Sequence, residues 1–271
     1  MAITTYDGLI AGLGAGQSFL ISKASIANQG AGGYTSLWRA TGIPAQPAIP
    51  TATVSTVVNS VGGGAINNTM TVATGLTAYM GRLGICGSLS HMFFVCDRIV
   101  HNGGLVANTT ALTTLNTYDL PTDRDLDLTN YSDIHYFYEI YTDIGVTGTT
   151  VTFGYDSPTS SAQTVVVAIG GASPLNRAGR MFEILPNTGH PIVRLKTARL
   201  TATTGTAGSW GIVGVQELGA GPMGQINIGV MYDFAQVGLR KVSSGAYMMA
   251  YIISSTTSSG TPNGMIKIIT G

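Results

Sequence analysis

Apolar positions alternate with polar ones in short runs along most of this chain, and clusters of turn residues separate the runs. The segment Ile134–Thr142 is the sharpest case. Ile134, Tyr136, Tyr138 and Ile140 fall on one side of a period-two element, and His135, Phe137, Glu139 and Tyr141 on the other. Both sides are largely apolar, so this strand is expected to be central and covered on both faces, by the chain itself or by a partner subunit. Further strands are predicted at 54–58, 69–73, 92–100, 115–120, 149–155, 163–169, 180–185, 192–203, 209–217, 226–231, 247–254 and 265–269. Gly62-Gly63-Gly64, Asn102-Gly103-Gly104, Asp156-Ser157-Pro158 and Gly170-Gly171 supply turns between them. Residues 76–85 stay open: Leu76, Met80 and Leu83 suit a helix, while the flanking glycines permit a strand.

The N-terminal region follows a different pattern. Thr4 and Asp7 have capping-box spacing ahead of Leu9, Ile10 and Leu13, which predicts a short helix over 4–13, broken by Gly12, Gly14 and Gly16. Residues 17–23 are β-leaning. Pro44, Pro47 and Pro50 then favour extended, polyproline-like chain. The expectation is an all-β fold: a β-sandwich or jelly-roll body over 53–271, preceded by an extended arm over 1–52 that carries the short helix and docks on a neighbour. A Trp in extended chain needs a place to bury its ring, and Trp and Arg are enriched at interface hot spots. Trp38 and Arg39, with Phe19, Tyr34 and Leu37, are therefore the expected partner contacts; the alternative is that Trp38 folds back on its own body.

Composition sharpens this picture. Charged residues make up only 10% of the 271, hydrophobic residues 44%, and mean hydropathy is +0.28, so the chain folds rather than staying disordered. A folded chain this poor in charge is expected to cover much of its exterior with partners. Net charge is zero, with 13 basic and 13 acidic residues, and the longest cationic run is Arg240-Lys241, which argues against nucleic-acid binding. No apolar run approaches the roughly 18 residues of a membrane span. The N-terminus shows no basic region followed by an apolar one, so cytoplasmic synthesis is expected, where Cys86 and Cys96 favour free thiols over a bridge.

Candidate chemistry is sparse. Cys86, His91, Cys96 and His101 lack the paired short spacings of a structural zinc module. Asp123, Asp125 and Asp127 match the opening of a calcium loop, but Leu128 stands where Gly is required and Ile134 where the closing Glu belongs. That leaves a looser calcium site, with Asp133 added, or a solvated acidic loop. Gly12 to Gln17 lacks the Lys of a phosphate-binding loop and fits a hinge. No nucleophile elbow occurs, and only a spatial meeting of Glu139, Glu183 and Glu217 would offer paired carboxylates. The sequence predicts no enzyme, cofactor or metal.

Tyr34-Thr35-Ser36-Leu37-Trp38-Arg39-Ala40-Thr41-Gly42, with the prolines behind it, resembles a group of head-associated virion proteins of tailed bacteriophages. His101-Asn102-Gly103-Gly104-Leu105, Ala178-Gly179-Arg180-Met181 and the stretch from Leu200 to Gly208 ahead of Trp210-Gly211-Ile212 extend the resemblance along the chain. It implies a capsid cement or decoration protein, commonly trimeric, on the capsid exterior and seated on the major capsid protein. A tail-fibre or host-recognition module is the competing expectation.

Overall fold

The computed structural model describes residues 3, 5–115 and 117–271. In chain order the elements begin with α1 (Tyr6–Ala15), β1 (Gln17–Lys23), β2 (Tyr34–Ser36), β3 (Gly42–Ile43), β4 (Thr56–Val57), β5 (Ala78–Cys86) and β6 (His91–His101). They continue with β7 (Leu105–Val106), β8 (Thr113–Thr114), β9 (Ile134–Thr142), β10 (Thr149–Ser157), β11 (Ser160–Ile169) and β12 (Arg180–Glu183). The last are β13 (Arg194–Leu200), β14 (Ser209–Met223), β15 (Val230–Tyr232), α2 (Phe234–Val237), β16 (Lys241–Val242), β17 (Met248–Ser254) and β18 (Asn263–Thr270). The fold is all-β with a short helix near the N-terminus.

Six strands close into an antiparallel barrel. The order is β6-β17-β2-β12-β9-β14, and β14 pairs back onto β6, so the ring leaves none of the six with a free edge. The period-two alternation of these strands explains the closure. One set of side chains, including Cys96, Phe137, Tyr141, Met181, Val213, Val215, Met249 and Tyr251, fills the interior. The other set points outward into two further cores. Tyr136, Tyr138, Ile140, Trp210 and Ile212 pack with Val151, Phe153, Leu195 and Leu200 of a four-stranded sheet, β11-β10-β13-β8. Phe93, Val95, Met248 and Ile252 pack with Phe19, Ile21, Met80, Leu83, Ile266 and Ile268 of a six-stranded sheet, β15-β5-β18-β1-β3 with β16 beside β5. The barrel is thus sandwiched between two sheets. Strand β9, expected to be covered on both faces, has seven of its nine residues buried by this chain itself, all but His135 and Thr142.

The N-terminal segment differs from the expected free arm. Strand β1 lies inside the six-stranded sheet, with Phe19 opposite Ile266 and Ile21 opposite Gly264 of β18. Strand β2 is a stave of the barrel between β17 and β12. A boundary at 52/53 therefore does not divide an arm from a core, because the apolar alternation of 17–23 finds its partner strand at the far end of the chain. Thr4, the expected start of the helix, lies outside the described residues; helix α1 begins at Tyr6, with the Thr5 hydroxyl accepting from the Gly8 N–H at 3.1 Å. It continues through Gly12 and Gly14 and stops at Gly16, where a Cβ would sit 2.6 Å from the Ile268 carbonyl oxygen.

Three other expectations change. Segment 76–85 becomes strand β5, clamped between β18 and β15. Among the described residues, segments 69–73 and 115–120 form no strand; Met70, Val72, Leu115 and Tyr118 are single apolar plugs that loops drop into the cores. Strand β14 runs on to Met223, past a register shift at Glu217/Gly219, because β6 supplies partners that far.

Candidate interaction surfaces

The five residues expected to touch a partner serve mainly to build this chain. Phe19 and Leu37 are buried in the core beneath the six-stranded sheet. Trp38 closes one end of the barrel: its Nε1–H donates to the Tyr247 hydroxyl at 2.8 Å, and the Arg98 guanidinium lies 3.9 Å from its ring centroid. Arg39 donates to the Pro47 carbonyl, tying the proline-rich segment across that end. Tyr34 is half-buried, edge-on to Phe137 and Tyr251. Trp38 thus folds back on its own body, the alternative that the sequence left open. Its indole needed an apolar seat with an acceptor, and the barrel offered both.

Around Trp38 lies a buried polar cluster. Arg98 donates from Nη1 to Glu139 Oε2 at 2.8 Å, from Nη2 to the Tyr141 hydroxyl at 3.1 Å and from Nε to His101 Nδ1 at 3.1 Å. Burial, reinforced by the Arg98 charge, pulls the His101 pKa down to about 3, so the ring is neutral and its Nδ1 is free to accept. One residue earlier, Asp97 points out of the barrel and holds Arg124 at 2.5 Å, while burial still pushes its carboxyl upward. Cys96 is buried with its thiol pushed well up by desolvation, which makes it inert rather than nucleophilic; Cys86 is a free thiol on β5. These pairs spend charge inside the molecule. A chain with few ionic groups is left with fewer still on its exterior.

Two of the three glutamates, Glu139 and Glu183, are committed to different partners. Glu139 is locked to Arg98, and Glu183 Oε1 accepts from His135 Nδ1 at 2.9 Å near the opposite end of the barrel. That contact, with Glu183 as the neighbouring acid, raises the His135 pKa. A pocket of about 610 Å³ opens beside Trp38, His101, Asn102 and Tyr247 beneath the proline-rich segment. Its polar walls are already paired: Asn102 bonds to Thr53, Ser55 and Ile212, and Tyr247 to Trp38 and Gly63.

The aspartates of the calcium-like run do not converge. Asp127 accepts from the Thr129 and Asn130 N–H groups and the Ser132 hydroxyl, closing its own turn. Asp133 accepts from Gln216 and the Asp127 N–H, Asp123 from Ser243, and Asp125 lies 3.7 Å from Lys241. Among the described residues no three His, Cys, Asp or Glu side chains are grouped to hold an ion.

What the exterior does present is apolar. On the outer face of the six-stranded sheet, Leu20, Met265, Gly84 and Met231 are register neighbours across β1, β18, β5 and β15. They form one row, and Leu20 and Met231 are 59% and 50% exposed. A depression of about 390 Å³ over Gly84 and Gly264 lies within it, walled by Met231 and Met265. The sequence alone carried this signal weakly: residues 226–231 and 265–269 read as ordinary strands, and only the register assembles the row.

No protein-family model matches this chain, and no curated protein matches it. Among solved structures it is similar to that of the infectious bursal disease virus Gx strain, at 12% identity and a TM-score of 0.21, over 94% of this chain and 81% of that one. It is also similar to the VP2 subviral particle of infectious bursal disease virus, at 11% identity and a TM-score of 0.18, over 94% and 80%. Both likenesses are to virus structures. TM-scores this low establish no shared topology.

Proposed function

We propose that this chain is a structural subunit of a virus particle, acting by packing against other protein subunits and making no bonds. The observation that carries the reading is an exterior poor in charge yet studded with large exposed apolar side chains, Leu20, Ile43, Val61, Val146, Val166, Leu185 and Met231 among them. A closed barrel braced by two sheets is also a stiff module, suited to bearing load. The finer reading is a cement protein of a tailed phage, seated on the capsid exterior and bridging major capsid protein subunits.

Stoichiometry and position in purified particles test it. Copies distributed over the whole shell support the cement reading. Copies confined to one vertex replace it with the tail-fibre or host-recognition module, and absence from particles ends both.

A further inference from the structure

Three arginines are buried among the described residues, Arg98, Arg124 and Arg180. Arg98 is paired with Glu139, and Arg124 with Asp97. Arg180 of β12 is only 5% exposed, yet among the described residues it has no carboxylate within ion-pair distance. Its side chain makes one hydrogen bond there, from Nη1 to the Gly30 carbonyl oxygen at 3.1 Å, and the buried Nε–H has no acceptor. Burial accordingly lowers its pKa. A guanidinium offers five N–H donors, and holding one away from water without an anion is costly. The fold thus keeps a cation whose counter-charge the chain does not supply.

Arg180 lines a pocket of about 390 Å³ at the seam between the barrel and β11, the edge strand of the four-stranded sheet. Its guanidinium lies between Gly33 and Phe182, which belong to the same lining. The 30–33 turn is shaped around it: a Cβ on Gly33 would sit 2.1 Å from both Nη1 and Nη2, so only glycine fits. On the other side Cζ is 5.3 Å from the Phe182 ring centroid, and Phe182 stacks on Tyr138 at 4.7 Å. The Tyr138 hydroxyl is already committed, donating to the Ala168 carbonyl oxygen of β11 at 2.6 Å. Val167 and Leu175 add apolar wall. Glu183, the one acid in the lining, alternates onto the other face of β12 and is held by His135.

We propose that this pocket binds a small monocarboxylate with a flat apolar body, its carboxylate on the Arg180 guanidinium and its body against Phe182, Tyr138 and Leu175. A planar carboxylate matches the guanidinium fork through two parallel hydrogen bonds. One cation among apolar walls balances one negative charge, which disfavours a dianionic phosphate. The volume lies at the small end of ligand pockets. An Asp or Glu side chain from another protein brings only one or two methylenes and leaves the aromatic wall unfilled, which favours a free acid. The site stands independently of the structural-subunit reading.

Titrating benzoate into the full chain, followed by calorimetry and by NMR of the arginine Nε–H groups, tests this. Benzoate is expected to bind saturably at millimolar concentrations. Benzamide, which keeps the ring without the charge, and acetate, which keeps the charge without the ring, are each expected to bind about tenfold or more weakly. The Arg180 Nε–H resonance is expected to shift with benzoate and to stay in place with benzamide. Arg180→Lys, which keeps the charge and loses the fork, is expected to weaken benzoate by about tenfold. Leu175→Glu sets an acid at the exposed edge of the pocket and leaves the buried arginine untouched, so it tests the site even where Arg180→Lys fails to fold. It is expected to weaken benzoate by about tenfold with an unchanged melting temperature. Absence of saturable benzoate binding, equal affinity for benzamide, or full affinity in folded Leu175→Glu overturns the proposal. So does an Arg180 Nε–H signal that stays fixed at saturation, the result expected of an arginine that only staples the 30–33 turn to β12.

Discussion

Arg98 and Glu139 meet across β14 inside the barrel, Nη1 2.8 Å from Oε2, with both side chains fully shut off from water. A buried pair of this kind is weak evidence of net stabilisation, but removing one partner strands the other charge. Arg98→Met is therefore expected to cost about 3–5 kcal/mol in urea unfolding. Arg98→Met with Glu139→Leu is expected to recover most of that loss, because the barrel interior around them is apolar and aromatic. A double variant as unstable as the single one would show that the pair does more than neutralise itself.

His101 contributes a pH dependence whose direction follows from its burial beside Arg98. Its folded pKa of about 3 lies below the unfolded value of about 6.5, so the unfolded chain binds the extra proton first. Its contribution is present above pH 6.5 and lost as pH falls through that window. Melting temperatures of the wild type and His101→Gln between pH 7 and pH 4 check this: the wild type is expected to fall more steeply on acidification.

His135 behaves in the opposite sense. Glu183 raises its folded pKa, so its contribution is complete below the unfolded pKa and fades as pH rises through the folded one. Titrating the His135 ring by NMR is expected to give a midpoint above about 6.5, and Glu183→Gln is expected to lower it. An unchanged midpoint in that variant would remove Glu183 as the cause.

Deleting residues 1–50 is expected to abolish folding, since it removes β1 and β3 from the six-stranded sheet and β2 from the barrel wall. It also removes Lys23, whose buried ammonium donates to the Ala40 and Pro44 carbonyl oxygens at 3.1 and 2.7 Å. Circular dichroism of the truncated chain checks this. A cooperative melt with native-like strand content would restore the separate arm.

Chelation is expected to leave the melting temperature unchanged. The carboxylates of Asp123, Asp125, Asp127 and Asp133 are engaged one by one with Ser243, Lys241, turn N–H groups and Gln216, with no common centre. A fall in melting temperature on adding EDTA, reversed by calcium, would establish the cation site.

Local patterning was enough to determine the all-β class and most strand positions, including β1 and β9, because side-chain alternation is a property of the strand itself. The double-sided apolar character of β9 also forecast its burial on both faces. Pairing was not legible. That β1 joins β18 across nearly the whole chain, that six strands close into a ring, and that Trp38 seats against Arg98 and Tyr247 depend on contacts distant in sequence. The same holds for the row of Leu20, Met265, Gly84 and Met231, which four separated strands contribute. Periodicity tells a residue which face it shares with its neighbours in the chain; only the register between strands decides which other residues share that face, and hence what the exterior can bind.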